Sequence, residues 1–435
     1  MKPSYIEALE SRITPSTLGP IDIFVDASTV VVTLAAGVLK IAPAVGITAV
    51  EVSIEQLSDG SILIADNVGD SDLETTANFH GTVKGINVAL GATGDDKVTV
   101  DLDPAYNLSG NVSISTGLGD DLIDVHSGSI RGNLTIAAKG AADVTLGGAA
   151  SDLFVRGIVS STTAGGNFIL GDTAKTGTLN VNGASDTVLG GTVAGTATLT
   201  AKVGNSSYFV GSASGATIGG SLKITGVVGN EDVFIGNAQV RGALTIGLGA
   251  GNNQVELTTA ATIRGIAGIT ATLGNDTVLF SGAGPDIHGR TTVSLGEGTN
   301  VFDAGSGILS AGLAYTGGSG VDTVTLGAGL TMFGDVAITA GNGANTVKIA
   351  TFSSLTKFTF TGGLNVDTIT LASVGAGFVN GSLSMGDGAD LITVLGTGDF
   401  FNTFKSDGGL ASDTITIDAA ILADGWLRTN IEVTI

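Results

Sequence analysis

The 435-residue chain has no cysteine, one tryptophan, three histidines and six prolines. The missing thiols exclude disulfides, zinc–thiolate sites and cysteine nucleophiles. Aromatic residues make up only 5% of the chain, which leaves little material for stacking sugars or bases. Positive charge is also scarce, with 18 Lys and Arg against 40 Asp and Glu and a formal net charge of −22. A chain so acidic is not expected to bind nucleic acid. Uninterrupted apolar runs stay well short of the ~18 residues that signal a spanning helix, so no transmembrane segment is predicted. The N-terminus lacks the apolar core of an ordinary secretory signal.

What the chain has in quantity is glycine, 69 residues, together with a 43% hydrophobic content. Glycine usage far exceeds the usual ~7%. The apolar fraction argues against Gly-rich disorder, because disordered chains lack the surface needed to offset chain entropy.

Both excesses belong to one repeat. TGGSGVDTVTL (316–326), TAGNGANTVKI (339–349), TGGLNVDTITL (361–371), MGDGADLITV (385–394) and DGGLASDTITI (407–417) share a glycine-rich turn, a polar residue and an alternating apolar strand. Aligning the turn gives fifteen copies at Asp96, Asp121, Asp143, Asn167, Asp186, Ser207, Asp232, Asn253, Asp276, Asn300, Asp322, Asn345, Asp367, Asp390 and Asp413. Their mean step, about 22 to 23 residues, lies in the solenoid range. Two positions on, an apolar column runs from Val98 through Ile123, Ile169, Val188, Phe209, Phe234, Val255 and Val278 to Ile415, broken only at Thr145.

A second strand opens on glycine before each turn, as in GNLTI (132–136), GTLNV (177–181) and GALTI (242–246). A third extended piece, such as TIRG (262–265) or DIHG (286–289), lies between them. Alternation places the apolar residues of each strand on one face. Three short strands per 22 to 23 residues predict an all-β chain forming a single parallel β-helix, in which each rung buries its apolar face against the next.

The expected organisation is an N-terminal segment 1–18, with Ser4 and Glu7 at capping-box spacing for a short helix; irregular first rungs or a β cap over 19–80; about 15 rungs over 81–417; and a C-terminal cap or assembly segment over 418–435. Trp426 is expected to cover the terminal rung. Self-association end to end is the predicted partnership, since the ends of a β-helix are sheet edges.

Two short motifs resemble known families. LESRITPS (9–16) resembles the L-E-x-R-x-x-P-S segment near the N-termini of repeat-rich surface and secreted proteins of planctomycete-type bacteria, carried by Leu9, Glu10, Arg12, Pro15 and Ser16. That resemblance implies an extracellular or cell-surface location. GGSGVDTVT (317–325) fits the calcium-binding nonapeptide of RTX β-rolls at Gly317, Gly318, Gly320, Asp322 and Val324. By that resemblance Asp96, Asp121, Asp322, Asp367, Asp390 and Asp413 are candidate calcium ligands. The turns recur only once per rung, and Asn or Ser replaces the carboxylate at several of them. The competing expectation is therefore an Asx-turn ladder in which these side chains accept backbone hydrogen bonds.

The expected function is a non-enzymatic structural rod of the cell surface or matrix, with no required cofactor. A calcium-binding adhesin or glycan-binding module is the alternative, and a polysaccharide lyase or hydrolase the third reading. Off-turn acids Asp124, Glu256 and Asp303 fall on different rungs, and periodicity alone does not gather them. His80, His126 and His288 are read as surface residues. Arg131, Arg156, Arg241 and Arg264, each preceding a glycine, predict a broken basic line in a salt-bridged face.

Overall fold

A computed structural model describes residues 21–23, 29–66, 74–91, 93–148, 152–202, 204–211, 214–350, 354–373, 378–396, 401–417, 426–429 and 432–434. The described residues are β-strands, turns and bends, without a helix. The helix expected within 1–18 lies outside them, as do residues 418–425 of the expected C-terminal segment.

The strands wind into a parallel β-solenoid of about 13 turns, with rungs about 23 residues apart. Each coil contributes to three faces. The first includes Lys97–Asp101, Asp186–Leu189 and Gln254–Leu257; the second, Thr192–Val193, Ala238–Val240 and Thr262–Ile263; the third, Val112–Thr116, Leu244–Gly247 and Ala267–Thr270. Along the solenoid, strands pair in parallel with their counterparts one coil on, as Val233↔Val255↔Val278, Val240↔Ile263 and Ile246↔Ile269 show. Alternate side chains point inward, so one hydrophobic cluster runs from Val30 to Ile417. No rung closes a core alone, which is why stacking and folding are one event.

The N-terminal end has a different construction. Val38–Pro43 and Glu51–Gln56 stack in parallel beneath Gly85–Ala89 and Lys97–Asp101. Their opposite edges pair antiparallel with Val30–Ala35 and Ile62–Asp66, and the latter pairs antiparallel with Glu74–Phe79. The Thr29 amide and hydroxyl both donate to Asp66 Oδ2, tying the two hairpins together. Hairpins of this kind cover an edge that would otherwise template another strand. At the other end, Trp426–Thr429 and Glu432–Thr434 remain parallel to the coil before them. The Trp426 side chain, expected as a lid, falls outside the described residues.

One sequence expectation is corrected. Asp143, Asn167, Asp186, Ser207 and Asp232 were aligned with the other turn residues, but they form an outward column paired Asn167↔Asp186↔Ser207↔Asp232. Asp121 instead aligns with Ala142, and Asp232 with Gln254. The register is one residue out across these coils, and a one-residue slip in a strand exchanges its two faces. The core is therefore lined by Val144, Phe168, Thr187, Tyr208 and Val233. Ile169 and Phe209, expected inside, are 37% and 41% exposed.

Candidate functional site: a buried polar ladder

The turn between the third and first faces carries one polar residue inward on most coils. Asp96, Asp121, Ser206, Glu231, Asn253, Asp276, Asn300, Asp322, Asn345, Asp367, Asp390 and Asp413 are all buried. All six candidate calcium ligands lie in this column. Ser206 and Glu231 were missed by sequence reasoning in favour of their neighbours Ser207 and Asp232. The break in the apolar column at Thr145 was the available signal of the slip.

The side chains act as substitutes for a sheet carbonyl. Asp121 Oδ1 accepts from the Asp96 amide at 2.9 Å, Asp276 from Asn253 at 3.0 Å, Asn345 from Asp322 at 2.9 Å, Asp390 from Asp367 at 2.7 Å and Asp413 from Asp390 at 2.8 Å. Each bond reaches back one coil and satisfies an amide at a tight bend, where an orphan donor would be costly. A second ladder on the outside runs the opposite way: Asn205, Asn230, Asn252 and Asn275 accept from the amides of Asn230, Asn252, Asn275 and Thr299 at 2.8–2.9 Å.

Asparagine and aspartate play different parts within the inner column. Asn253, Asn300 and Asn345 each donate through Nδ2 to Oδ1 of the next aspartate, Asp276, Asp322 and Asp367, at 2.8–2.9 Å. Nδ2 of Asn345 also reaches the Gly341 and Gly343 carbonyls. Alternation thus separates the carboxylates and supplies each with a donor. It ends at Asp367, Asp390 and Asp413, three carboxylates on consecutive coils.

The other carboxylate oxygen faces the turn interior. Oδ2 of Asp96, Asp121, Asp276, Asp322, Asp367, Asp390 and Asp413 is buried without a hydrogen-bond partner. A Cβ added to Gly317 would lie 1.6 Å from Asp322 Oδ2, and one on Gly362 2.0 Å from Asp367 Oδ2. Glycine at these places leaves the carboxylate its only space. Burial raises Asp322, Asp367 and Asp390 to about 6, and the neighbouring carboxylates Asp367 and Asp413 add to the rise at Asp390. Burial also raises Asp96, Glu231, Asp276 and Asp413. Tyr315 lies beside this column, and its phenol is raised by burial and then by the Asp322 charge.

The glycines of the RTX-like phrase line the same turn. A Cβ on Gly320 would meet the Gly298 carbonyl oxygen at 1.7 Å, and one on Gly341 the Gly318 oxygen at 2.1 Å. Successive turns therefore stack backbone on backbone. Among the described residues no group of three or more His, Asp or Glu is arranged to hold a metal ion.

The remaining candidates are dispersed. Glu256 and Asp303 share an outward column on the first face, with Leu279 between them. Asp124 lies many coils away, 4.0 Å from His126. His288 is 3.3 Å from Asp286, and His80 lies near the N-terminal hairpins, where its charge acts on Asp59.

Comparison with family models, curated proteins and solved structures finds no match for this chain.

Proposed function

We propose that the protein is a non-enzymatic structural rod of the bacterial cell surface or extracellular matrix, able to associate end to end. The observation that carries this reading is the parallel stacking of the coils, which persists to the last described strands and is reinforced on most coils by a buried side-chain ladder. Chain investment of this kind favours stiffness along one axis. About 13 turns at the ~4.8 Å strand spacing make a rod roughly 60 Å long. The surface location rests on the LESRITPS segment, which lies outside the described residues.

Sedimentation and electron microscopy across a hundredfold concentration range test the association. Rods that lengthen in multiples of one unit are expected. Particles that stay single at high concentration would sink end-to-end assembly, and detection of the native protein only in the cytosol would sink the surface role.

Calcium at Asp96, Asp121, Asp322, Asp367, Asp390 and Asp413 is a second reading, supported by their partnerless Oδ2 atoms. Equilibrium dialysis finding several ions per chain, with a lower melting temperature after chelation, is the outcome it requires.

A further inference from the structure

The second face carries a feature that the ladder does not use. Thr217, Gln239, Thr262 and Asp286 occupy equivalent positions on consecutive coils, in the pairings Thr217↔Gln239, Gln239↔Thr262 and Thr262↔Asp286. Two residues further along each strand, and so on the same outward side, stand Gly219, Arg241, Arg264 and His288. Arg241, Arg264 and His288 are exposed, and Arg290 is exposed two residues beyond His288. Arg241 Nε donates to Gln239 Oε1 at 3.0 Å. Gln239 in turn lines a trough of about 300 Å³ shared with Ser214, Thr217, Asn237 and Thr262.

The arginines are not the salt-bridged face expected from sequence. Among the described residues, none of Arg131, Arg156, Arg241, Arg264 and Arg290 lies within ion-pair distance of a carboxylate. Two arginines on consecutive coils, beside a trough of amides and hydroxyls, form a strip complementary to a ligand bearing spaced negative charges and many hydroxyls.

We propose that this strip binds a segment of an acidic polysaccharide, with Arg241 and Arg264 meeting its anionic groups and Gln239, Thr217 and Thr262 its hydroxyls. Arginine suits either a carboxylate or a sulfate, because its planar fork matches both. Asp286 stands one coil beyond Thr262 and lies 3.3 Å from His288, a contact that limits its repulsion of the ligand. Nucleic acid fits less well. The trough has no aromatic side chain on which a base could stack.

Binding of the full chain to polygalacturonate, dextran sulfate, neutral dextran and single-stranded DNA, followed by calorimetry or biolayer interferometry, tests the proposal. One or both acidic glycans are expected to bind, the stronger of them identifying carboxylate or sulfate as the preferred group. Affinity should fall by roughly tenfold between 50 and 200 mM salt, as expected for about two ion pairs. The double variant Arg241→Gln, Arg264→Gln should lose at least about tenfold, while Arg241→Lys, Arg264→Lys, which keeps the charge but not the fork, should lose less. Arg131→Gln with Arg156→Gln, a pair away from the trough, should change binding by less than about twofold. Melting curves verify that each variant remains folded. Binding of neither acidic glycan, equal binding of neutral dextran, preference for DNA, or equal loss in the Arg131/Arg156 variant would each overturn the proposal.

Discussion

Two stretches of the same solenoid solve the same bend differently. From Glu231 to Asp413 each described coil places an acid or amide inside the turn, whereas from Ala142 to Ser185 the equivalent positions are small: Ala142, Gly166 and Ser185. In the small-residue stretch the backbone bonds directly, as in Ser185 N–H to the Gly166 carbonyl at 2.8 Å, and the polar residues Asp143, Asn167 and Asp186 stand outside. The difference teaches that the parallel stack does not require the inner ladder. The ladder adds backbone satisfaction where the turn is wide enough to hold a side chain, at the cost of burying carboxylates.

The largest expected contrast comes from the glycines that make that room. Gly317→Ala should destabilise by about 3 kcal/mol or more, because its Cβ would fall on Asp322 Oδ2. Gly165→Ala, in the small-residue stretch, has its nearest atoms at 3.7 Å and should change stability by less than about 1 kcal/mol. Urea midpoints of the two variants check this; similar losses would erase the distinction between the stretches.

A second contrast lies within the ladder, between alternating Asn/Asp and the run Asp367, Asp390, Asp413. Asp390→Asn keeps the oxygen that accepts from the Asp367 amide and adds a donor toward Asp413, as Asn345 supplies to Asp367. It should stabilise the C-terminal coils by about 1 kcal/mol at pH 7. Asn345→Asp, extending the run to five carboxylates from Asp322 to Asp413, should destabilise by a similar or larger amount. Hydrogen exchange of the amides in 367–417 reads both changes locally.

Acidity should shift the same balance. Asp322, Asp367 and Asp390 are raised to about 6 in the folded state from an ordinary value of 3.8, so the native chain binds more protons than the unfolded chain between those limits. Their contribution therefore becomes more favourable as pH falls from 7 through 6 and levels off below about 4. Urea unfolding at pH 7.5, 6 and 5 should show rising stability, and Asp390→Asn should flatten the rise. A stability that falls over this interval would contradict the burial described for the ladder.

The smallest effect belongs to the surface exposed by the register slip. Phe209 and Phe234 stack on the outside with ring centroids 4.8 Å apart. Phe209→Thr should cost no more than about 1 kcal/mol, while Tyr208→Ala, which empties a buried site, should cost about 3 or more. Thermal melts of the pair distinguish the faces. Equal costs would place both residues in the core and return the register to the one first expected.

The six aspartates proposed from the turns all entered the buried column, because a glycine-rich bend followed by an alternating strand leaves little choice of direction. Glu231 and Ser206 were illegible for a related reason: each is followed by another polar residue, Asp232 or Ser207, and the repeat phrase accepts either. Only hydrogen bonding to the adjacent coils chooses between them. The basic row was visible as four R-G pairs, but the lack of carboxylate partners depends on side-chain positions across several coils.

The sequence by itself determined the parallel solenoid, its period and most of its inward strand residues, because a periodic apolar face can be buried only by stacking. Tertiary structure decided the register of the coils between Asp143 and Asp232, the direction of the two ladders and the grouping of Arg241 and Arg264 beside the Gln239 trough. These features depend on which residue lies one coil away, and a shift of one position exchanges inside for outside while barely altering the repeat.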